Sequence, residues 1–188
     1  MKITKPQNLS RLTRVVRVKG VGVYFHWSVF LIGALILLGA LRRPLVALVG
    51  LVAWLSVLLI HEFGHLIVAH RMGYDALSIE IFPIYGLARF EMPKTRFDNA
   101  LIAWGGVLAQ AVVGIPLVAS VIAFGYTPFE AVNALLAILG GFSLCIAAFN
   151  LLPIAPLDGA TAWDLIPAFI ERRRKRRSKR AIPYKSSR

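Results

Sequence analysis

The pentapeptide HEFGH, residues 61 to 65, combines residue types that can bind a metal ion and move a proton. On a helix, His61 and His65 project from one face, about 6 Å apart along the axis. Two imidazoles at this spacing can share one Zn²⁺, with Glu62 beside the metal as a general base. The five residues alone are only moderately specific, because the same pattern occurs by chance in soluble proteins.

The surroundings of HEFGH make the pattern more informative. It lies in an apolar stretch, residues 45–70, which is long enough to cross a bilayer. Ionisable side chains are rare inside membranes and are usually functional when they occur there. A catalytic zinc site needs a third protein ligand and an open position for water, so a further metal-binding side chain must meet the two histidines.

Asp158 is the acidic residue whose surroundings suit that position. It lies in NLLPIAPLDG (150–159), an apolar stretch with two prolines and a glycine. Pro153 and Pro156 interrupt a helix and free backbone groups at membrane depth, which is tolerated where the backbone lines a site or cavity. Of the other acids, Asp98 and Glu130 are interpreted as helix N-caps, and the rest fall in polar loops, strands or the basic C-terminal region.

The chain as a whole is too apolar for a soluble domain of its size. It has 188 residues, of which 57% are hydrophobic, and its mean hydropathy is +0.68. Four apolar segments predict membrane spans, at residues 25–41, 45–70, 99–123 and 131–149.

Two further stretches alternate apolar and polar residues as half-buried strands do. Residues 14–25 predict one strand, and residues 77–91 predict one or two strands with a turn at Tyr85-Gly86, lying against the membrane face. The predicted fold class is therefore a polytopic α-helical membrane protein, with about four transmembrane helices and short membrane-associated β-strands.

The distribution of basic residues predicts the orientation of these spans. With four spans, both termini and the loop 71–98 share one side of the membrane, and that side carries 20 of the 22 Lys and Arg residues. The positive-inside rule then puts both termini in the cytoplasm. His65 and Asp158 both lie near the cytoplasmic ends of their segments, so the site is expected toward the cytoplasmic side.

The sequence RRRKRRSKR (172–180) is a charge run without apolar periodicity. We interpret it as a basic cytoplasmic tail, residues 172–188, that contacts anionic lipid headgroups of the bilayer. No nucleic-acid partner is predicted, because the run has no aromatic interleaving and no nucleic-acid-binding motif accompanies it.

In these motifs the chain resembles the site-2 protease family of intramembrane zinc metalloproteases, from about residue 15 to residue 165. The resemblance rests on HEFGH within a span and on N150-LLP-IAP-LDG159, with further similarity in VYFHWSVF (23–30) and SIEIFPIYGLARF (78–90). It implies that His61, His65 and Asp158 hold one catalytic zinc ion and that Glu62 activates the water. It also implies that Asn150 holds or polarises the scissile carbonyl.

The sequence departs from the family pattern in the third span, where W104-GGVLAQ110 replaces an Ala-Gly-Pro…Asn pattern, with Val107 for the proline and Gln110 near the asparagine position. The chain also resembles a minimal core of the family. We predict an intramembrane metalloprotease core at residues 1–171, in a cytoplasmic membrane of the prokaryotic type.

The expected reaction is hydrolysis of peptide bonds in a transmembrane protein or membrane peptide. Two alternatives stay open at this point. A catalytically silent zinc-binding scaffold would not need Glu62, and a metal transporter would need polar residues along a whole pathway, which the outer halves of these spans lack.

Overall fold

The structure is a computed structural model that describes residues 12–18 and 20–181, with side chains up to residue 174. The strands are β1 (Leu12–Val18), β2 (Val21–His26), β3 (Ala76–Ile81) and β4 (Gly86–Phe90). The helices are α1 (Trp27–Leu38), α2 (Pro44–Arg71), α3 (Arg96–Phe124), α4 (Glu130–Leu135), α5 (Ser143–Asn150), α6 (Gly159–Ala162) and α7 (Leu165–Ala181). A 3₁₀ turn, Gly39–Leu41, follows α1, and a π-helical segment, Leu136–Phe142, joins α4 to α5.

Within the described residues, three helices are long and apolar enough to cross a membrane. They are α2, α3 and the continuous helix Glu130–Asn150, with mean hydropathies of 2.3, 2.3 and 2.1. These three correspond to the predicted spans 45–70, 99–123 and 131–149. The first predicted segment, 25–41, forms only the shorter apolar helix Trp27–Leu41. The mostly helical membrane fold with a small sheet is confirmed, whereas a fourth span stays a prediction.

The strands form one four-stranded sheet in the order β1-β2-β3-β4. β1 and β2 are antiparallel and pair Val18 with Val21 across a tight turn, where Gly20 has a φ of +90°. The prediction of a single strand over 14–25 was therefore wrong, because a left-handed glycine lets the chain reverse there. β2 pairs with β3 in parallel, and β3 pairs with β4 antiparallel, so residues 77–91 form two strands as predicted.

The sheet packs its apolar side against α2. Val23, Ile79 and Ile81 from the sheet form a buried cluster with Leu58 and Leu66 of the helix. This contact fixes the sheet beside the turn of α2 that carries HEFGH.

Helices α2 and α3 approach each other at glycines. A Cβ atom added at Gly64 would overlap the carbonyl oxygen of Gly105, and one added at Gly105 would lie 2.5 Å from the carbonyl oxygen of Gly64. Small residues let two helix backbones come this close. The contact brings the third span directly against the helix turn between His61 and His65.

The start of α3 differs from the prediction in one detail. The N-cap is Thr95, whose hydroxyl accepts a hydrogen bond from the Asp98 backbone N–H at 3.0 Å. Asp98 instead accepts a hydrogen bond from the Tyr74 hydroxyl at 2.8 Å. Asp98 therefore ties the first turn of α3 to the loop that follows α2.

Candidate metal centre

The two histidines of HEFGH lie on the inner face of α2, and both are buried. Their Nε2 atoms are 3.1 Å apart, and the two rings meet edge to face. The i, i+4 spacing predicted this side-by-side arrangement, and the structure confirms it.

Asp158 reaches the same point from the other end of the chain. Helix α5 ends at Asn150, and residues 151–158 form no regular helix, as expected from Pro153 and Pro156. One carboxylate oxygen of Asp158, Oδ2, lies 2.9 Å from His61 Nε2 and 3.3 Å from His65 Nε2. Among the described residues, these three form the group able to hold a metal ion.

The outer nitrogens of both imidazoles are engaged elsewhere. His61 Nδ1 lies 2.8 Å from Gln110 Oε1, and His65 Nδ1 lies 2.8 Å from the backbone carbonyl oxygen of Ile102. Both partners are acceptors, so each Nδ1 carries the proton and each Nε2 presents a lone pair. Two lone pairs and a carboxylate oxygen thus converge on one point, an arrangement that a cation between them would stabilise.

The donor set fits zinc. The three ligand atoms are separated by 2.9 to 3.3 Å, and tetrahedral zinc with bonds of about 2.0–2.1 Å requires ligand atoms roughly 3.3 Å apart. The Asp158 carboxylate offers the oxygen ligand that zinc accepts beside two imidazole nitrogens.

Glu62 lies beside this group and contacts strand β4. Its buried carboxyl group interacts with the backbone N–H of Ala88. A Cβ atom added at Gly86 would overlap the Glu62 side chain, which would then have to move from this position. The sheet, through β4, therefore sets the position of the predicted base.

All five predicted site residues line one cavity of about 630 Å³. The walls include Val57 and Leu58 from α2, Gly86, Leu87, Ala88 and Phe90 from β4, and Ile146 near the end of the last span. Asn150, at the end of α5, faces this cavity with His61, Glu62, His65 and Asp158. The structure brings the predicted residues together, and their individual roles stay predictions.

The structure adds residues that the sequence had marked only as departures from a pattern. Gln110 accepts the hydrogen bond from His61, and Gly106 lies beneath both imidazoles, where a Cβ atom would come 2.6 Å from His65 Nε2. A glutamine in an apolar span was a signal, because a buried amide needs partners. His26 is not part of the group, since its side chain caps α1 at Ser28.

Two tryptophans brace the segment that carries Asp158. Trp163 Nε1 donates to the carbonyl oxygen of Leu151 at 2.7 Å, and Trp104 Nε1 donates to that of Ala162 at 3.0 Å. The two indole rings also meet edge to face, 5.6 Å between centroids. The first contact joins the chain before Asp158 to the chain after it, and the second joins the chain after Asp158 to α3.

Comparison with known proteins finds similarity to zinc metalloproteases. The family model described as Peptidase family M50 matches residues 110–187, which include Asn150 and Asp158. Rip3 of Mycobacterium tuberculosis is 32% identical over 183 residues, covering 84% of this chain and 43% of Rip3. Zinc metalloprotease MJ0392 of Methanocaldococcus jannaschii is 29% identical over 153 residues, covering 78% of this chain and 42% of that protein. The chain thus spans less than half the length of these curated relatives.

The solved structure of the site-2 protease from Methanocaldococcus jannaschii has the same fold. It superposes with a TM-score of 0.64 at 24% identity, over 82% of this chain and 71% of that chain. The family model and the sequence relatives make this chain similar to peptidase family M50, and the solved structure shows that it shares the fold of a site-2 protease.

Proposed function

We propose that this protein is an intramembrane zinc metalloprotease that hydrolyses peptide bonds of transmembrane segments. The observation that carries the proposal is the convergence of His61, His65 and Asp158 at one point of an apolar cavity, with Glu62 beside them. Similarity to peptidase family M50 supports it, and MJ0392 is itself named a zinc metalloprotease.

The side chains suggest how the reaction proceeds. His61, His65 and Asp158 hold the metal, which when bound lowers the pKa of water and polarises a carbonyl. Glu62 accepts the proton of the attacking water and delivers it to the leaving amine. Asn150, on the same cavity wall, holds the scissile carbonyl.

The decisive experiment compares the wild type with Glu62→Gln on a transmembrane substrate, with zinc content measured in both. We expect the variant to keep its zinc and to lose about 10²- to 10⁴-fold in cleavage rate. Glu130→Gln is the matched control, because Glu130 forms an exposed ion pair with Arg43. Equal cleavage by Glu62→Gln contradicts the mechanism, zinc without any wild-type cleavage favours the scaffold, and zinc flux across vesicles favours the transporter.

We further propose that an extended substrate segment pairs with β4, which is the last strand of the sheet order and lines the cavity. The backbone N–H of Phe82 donates to the carbonyl oxygen of Tyr85. Because hydrogen-bonding groups alternate along an antiparallel pair, the backbone N–H of Leu87 points toward β3, and those of Gly86 and Ala88 point toward the outer edge. Prolines at Ile79 and Ile81 would test this poorly, because both residues are fully buried in the inner strand β3.

Ala88→Pro removes an outward N–H, which also interacts with the Glu62 carboxyl, and leaves the β3 bonds of Leu87 in place. In a Glu62→Ala background, where this side-chain interaction is absent, we expect Ala88→Pro to reduce co-purification of a bound substrate, whereas Ala88→Ser, which keeps the N–H, retains it. Equal substrate recovery from both variants, with equal zinc content, contradicts strand pairing.

For the membrane arrangement, we propose four spans including 25–41, both termini in the cytoplasm of a prokaryotic cell, and a site toward the cytoplasmic side. The support is the charge asymmetry of 20 basic residues against 2. Reporter fusions at each terminus test it, and activity of an exported-only reporter at either end contradicts it.

We also propose that the protease core, residues 1–171, is followed by a basic segment, residues 172–188, that rests on anionic headgroups. Helix α7 crosses this boundary, exposes Ile166 and Ile170, and carries Arg172 with its guanidinium 4.7 Å above the Phe97 ring. Trypsin should cut the basic run more slowly in vesicles containing phosphatidylglycerol than in pure phosphatidylcholine, and high salt should abolish the difference. Equal tryptic cleavage rates in the two kinds of vesicle contradict contact between this segment and anionic headgroups.

A further inference from the structure

A chain of buried hydrogen bonds leads from His61 away from the cavity. His61 Nδ1 lies 2.8 Å from Gln110 Oε1, and Gln110 Nε2 donates to Ser143 Oγ at 3.2 Å. Gln110 is 0% exposed and Ser143 is 1% exposed. Three spans are thereby connected through one amide: α2 by His61, α3 by Gln110 and the Glu130–Asn150 helix by Ser143.

The orientation of this amide matters for the imidazole. A glutamine amide has one acceptor end and one donor end, and Ser143 engages the donor end. The acceptor oxygen is then directed at His61, where it can bind only a protonated Nδ1. A histidine with its proton on Nδ1 has an unprotonated Nε2, and Nε2 is the atom directed at Asp158 and His65.

His65 provides an internal comparison. Its Nδ1 is held by the backbone carbonyl oxygen of Ile102, a partner that no side-chain substitution removes. For His61, the equivalent partner is a side chain. The two metal-binding histidines are therefore oriented by different means, and only one of these can be tested by mutation.

We propose that Gln110, oriented by Ser143, is a positioning residue that keeps the Nδ1 of His61 protonated and presents its Nε2 as a metal ligand. This inference rests on the proposed zinc site. Outer partners of this kind fix the tautomer and direction of a ligating histidine, and their loss costs about 10- to 100-fold in metal affinity.

A packing role for Gln110 makes the opposite prediction for two matched variants. Gln110→Met keeps the length and volume of the side chain and removes the acceptor, whereas Gln110→Glu keeps an acceptor oxygen and introduces a buried charge. If Gln110 only fills space between helices, Met is tolerated and Glu is not. If Gln110 orients His61, Glu is tolerated and Met is not.

The experiment measures Zn²⁺ affinity of the full chain in detergent by competition with a chromophoric chelator. We expect Gln110→Met to lose about 10- to 100-fold in affinity, Gln110→Glu to stay within a few fold of the wild type, and Ser143→Ala to lie between them. Thermal unfolding of the zinc-free proteins shows whether each variant is folded, and cleavage is not needed as a readout.

The outcomes separate this inference from the proposed function. A wild-type chain that binds no zinc overturns the metal site itself. A wild-type chain that binds zinc while folded Gln110→Met binds it equally well overturns the positioning role and leaves the metal site intact. An equal loss of zinc affinity in Gln110→Met and Gln110→Glu also overturns the positioning role, because Gln110→Glu retains an acceptor. A loss in Gln110→Glu alone overturns it for the same reason.

Discussion

Asp158 Oδ2 lies 2.9 Å from His61 Nε2, although 97 positions separate the two residues along the chain. His61 belongs to helix α2, and Asp158 belongs to the irregular segment that follows the last span. The contact completes a group of three side chains that could hold a metal ion.

Asp158→Ala should weaken zinc binding by more than about 100-fold, because losing a ligand costs more than losing an outer partner. Zinc added to the wild type should raise its melting temperature, since a ligand that binds only the folded state stabilises it. The variant should show no such rise. Asp164→Ala, which removes an exposed ion pair with Arg96, serves as the control. A zinc-dependent rise in Asp158→Ala would remove Asp158 from the ligand set.

Gly106→Ala should disturb the metal centre through steric overlap. The added Cβ atom would lie 2.6 Å from His65 Nε2 and 2.7 Å from His61 Cε1, closer than folded proteins allow. We expect reduced zinc content in the purified protein. Gly141→Ala is the matched control, because nothing lies within 4 Å of its added Cβ atom. Normal zinc content in Gly106→Ala would show that α3 can shift away from the imidazoles.

Gly86→Ala should separate zinc binding from catalysis. The three atoms nearest to the added Cβ atom all belong to the side chain of Glu62. We expect zinc content to stay normal and cleavage to fall toward the level of Glu62→Gln, up to about 10²- to 10⁴-fold. Gly50→Ala, whose Cβ atom has ordinary contacts at 3.9 Å, should cleave as the wild type does. Unchanged cleavage by Gly86→Ala would contradict the role of β4 in positioning the base.

Trp163→Phe should loosen the segment that carries Asp158, because it removes the hydrogen bond to the carbonyl oxygen of Leu151. One such bond contributes about 1 kcal/mol, so zinc affinity should fall by at most about fivefold. Trp27→Phe is the control, since Trp27 begins α1 and does not line the cavity. An affinity that Trp163→Phe leaves unchanged would show that the segment is held by its other contacts.

Much of the site was predictable because its chemistry is local in the sequence. HEFGH on an apolar helix requires His61 and His65 to share a face, and Pro153 and Pro156 require an irregular segment before Asp158. The wrong prediction of a single strand also came from a local sequence pattern. The pattern of residues 14–25 did not show that the chain reverses at Gly20, because hydrophobic alternation is the same in one long strand and in a hairpin.

The sequence by itself determined the candidate ligand types, the helix face that carries two of them and the apolar segment in which they lie. Only the tertiary structure decided which partners surround them: Gln110 and Ile102 behind the imidazoles, and Gly86 beside Glu62. The physical reason is that these partners lie on other elements, and their distances depend on how closely α3 and the sheet pack against α2. No periodicity within a segment specifies that packing.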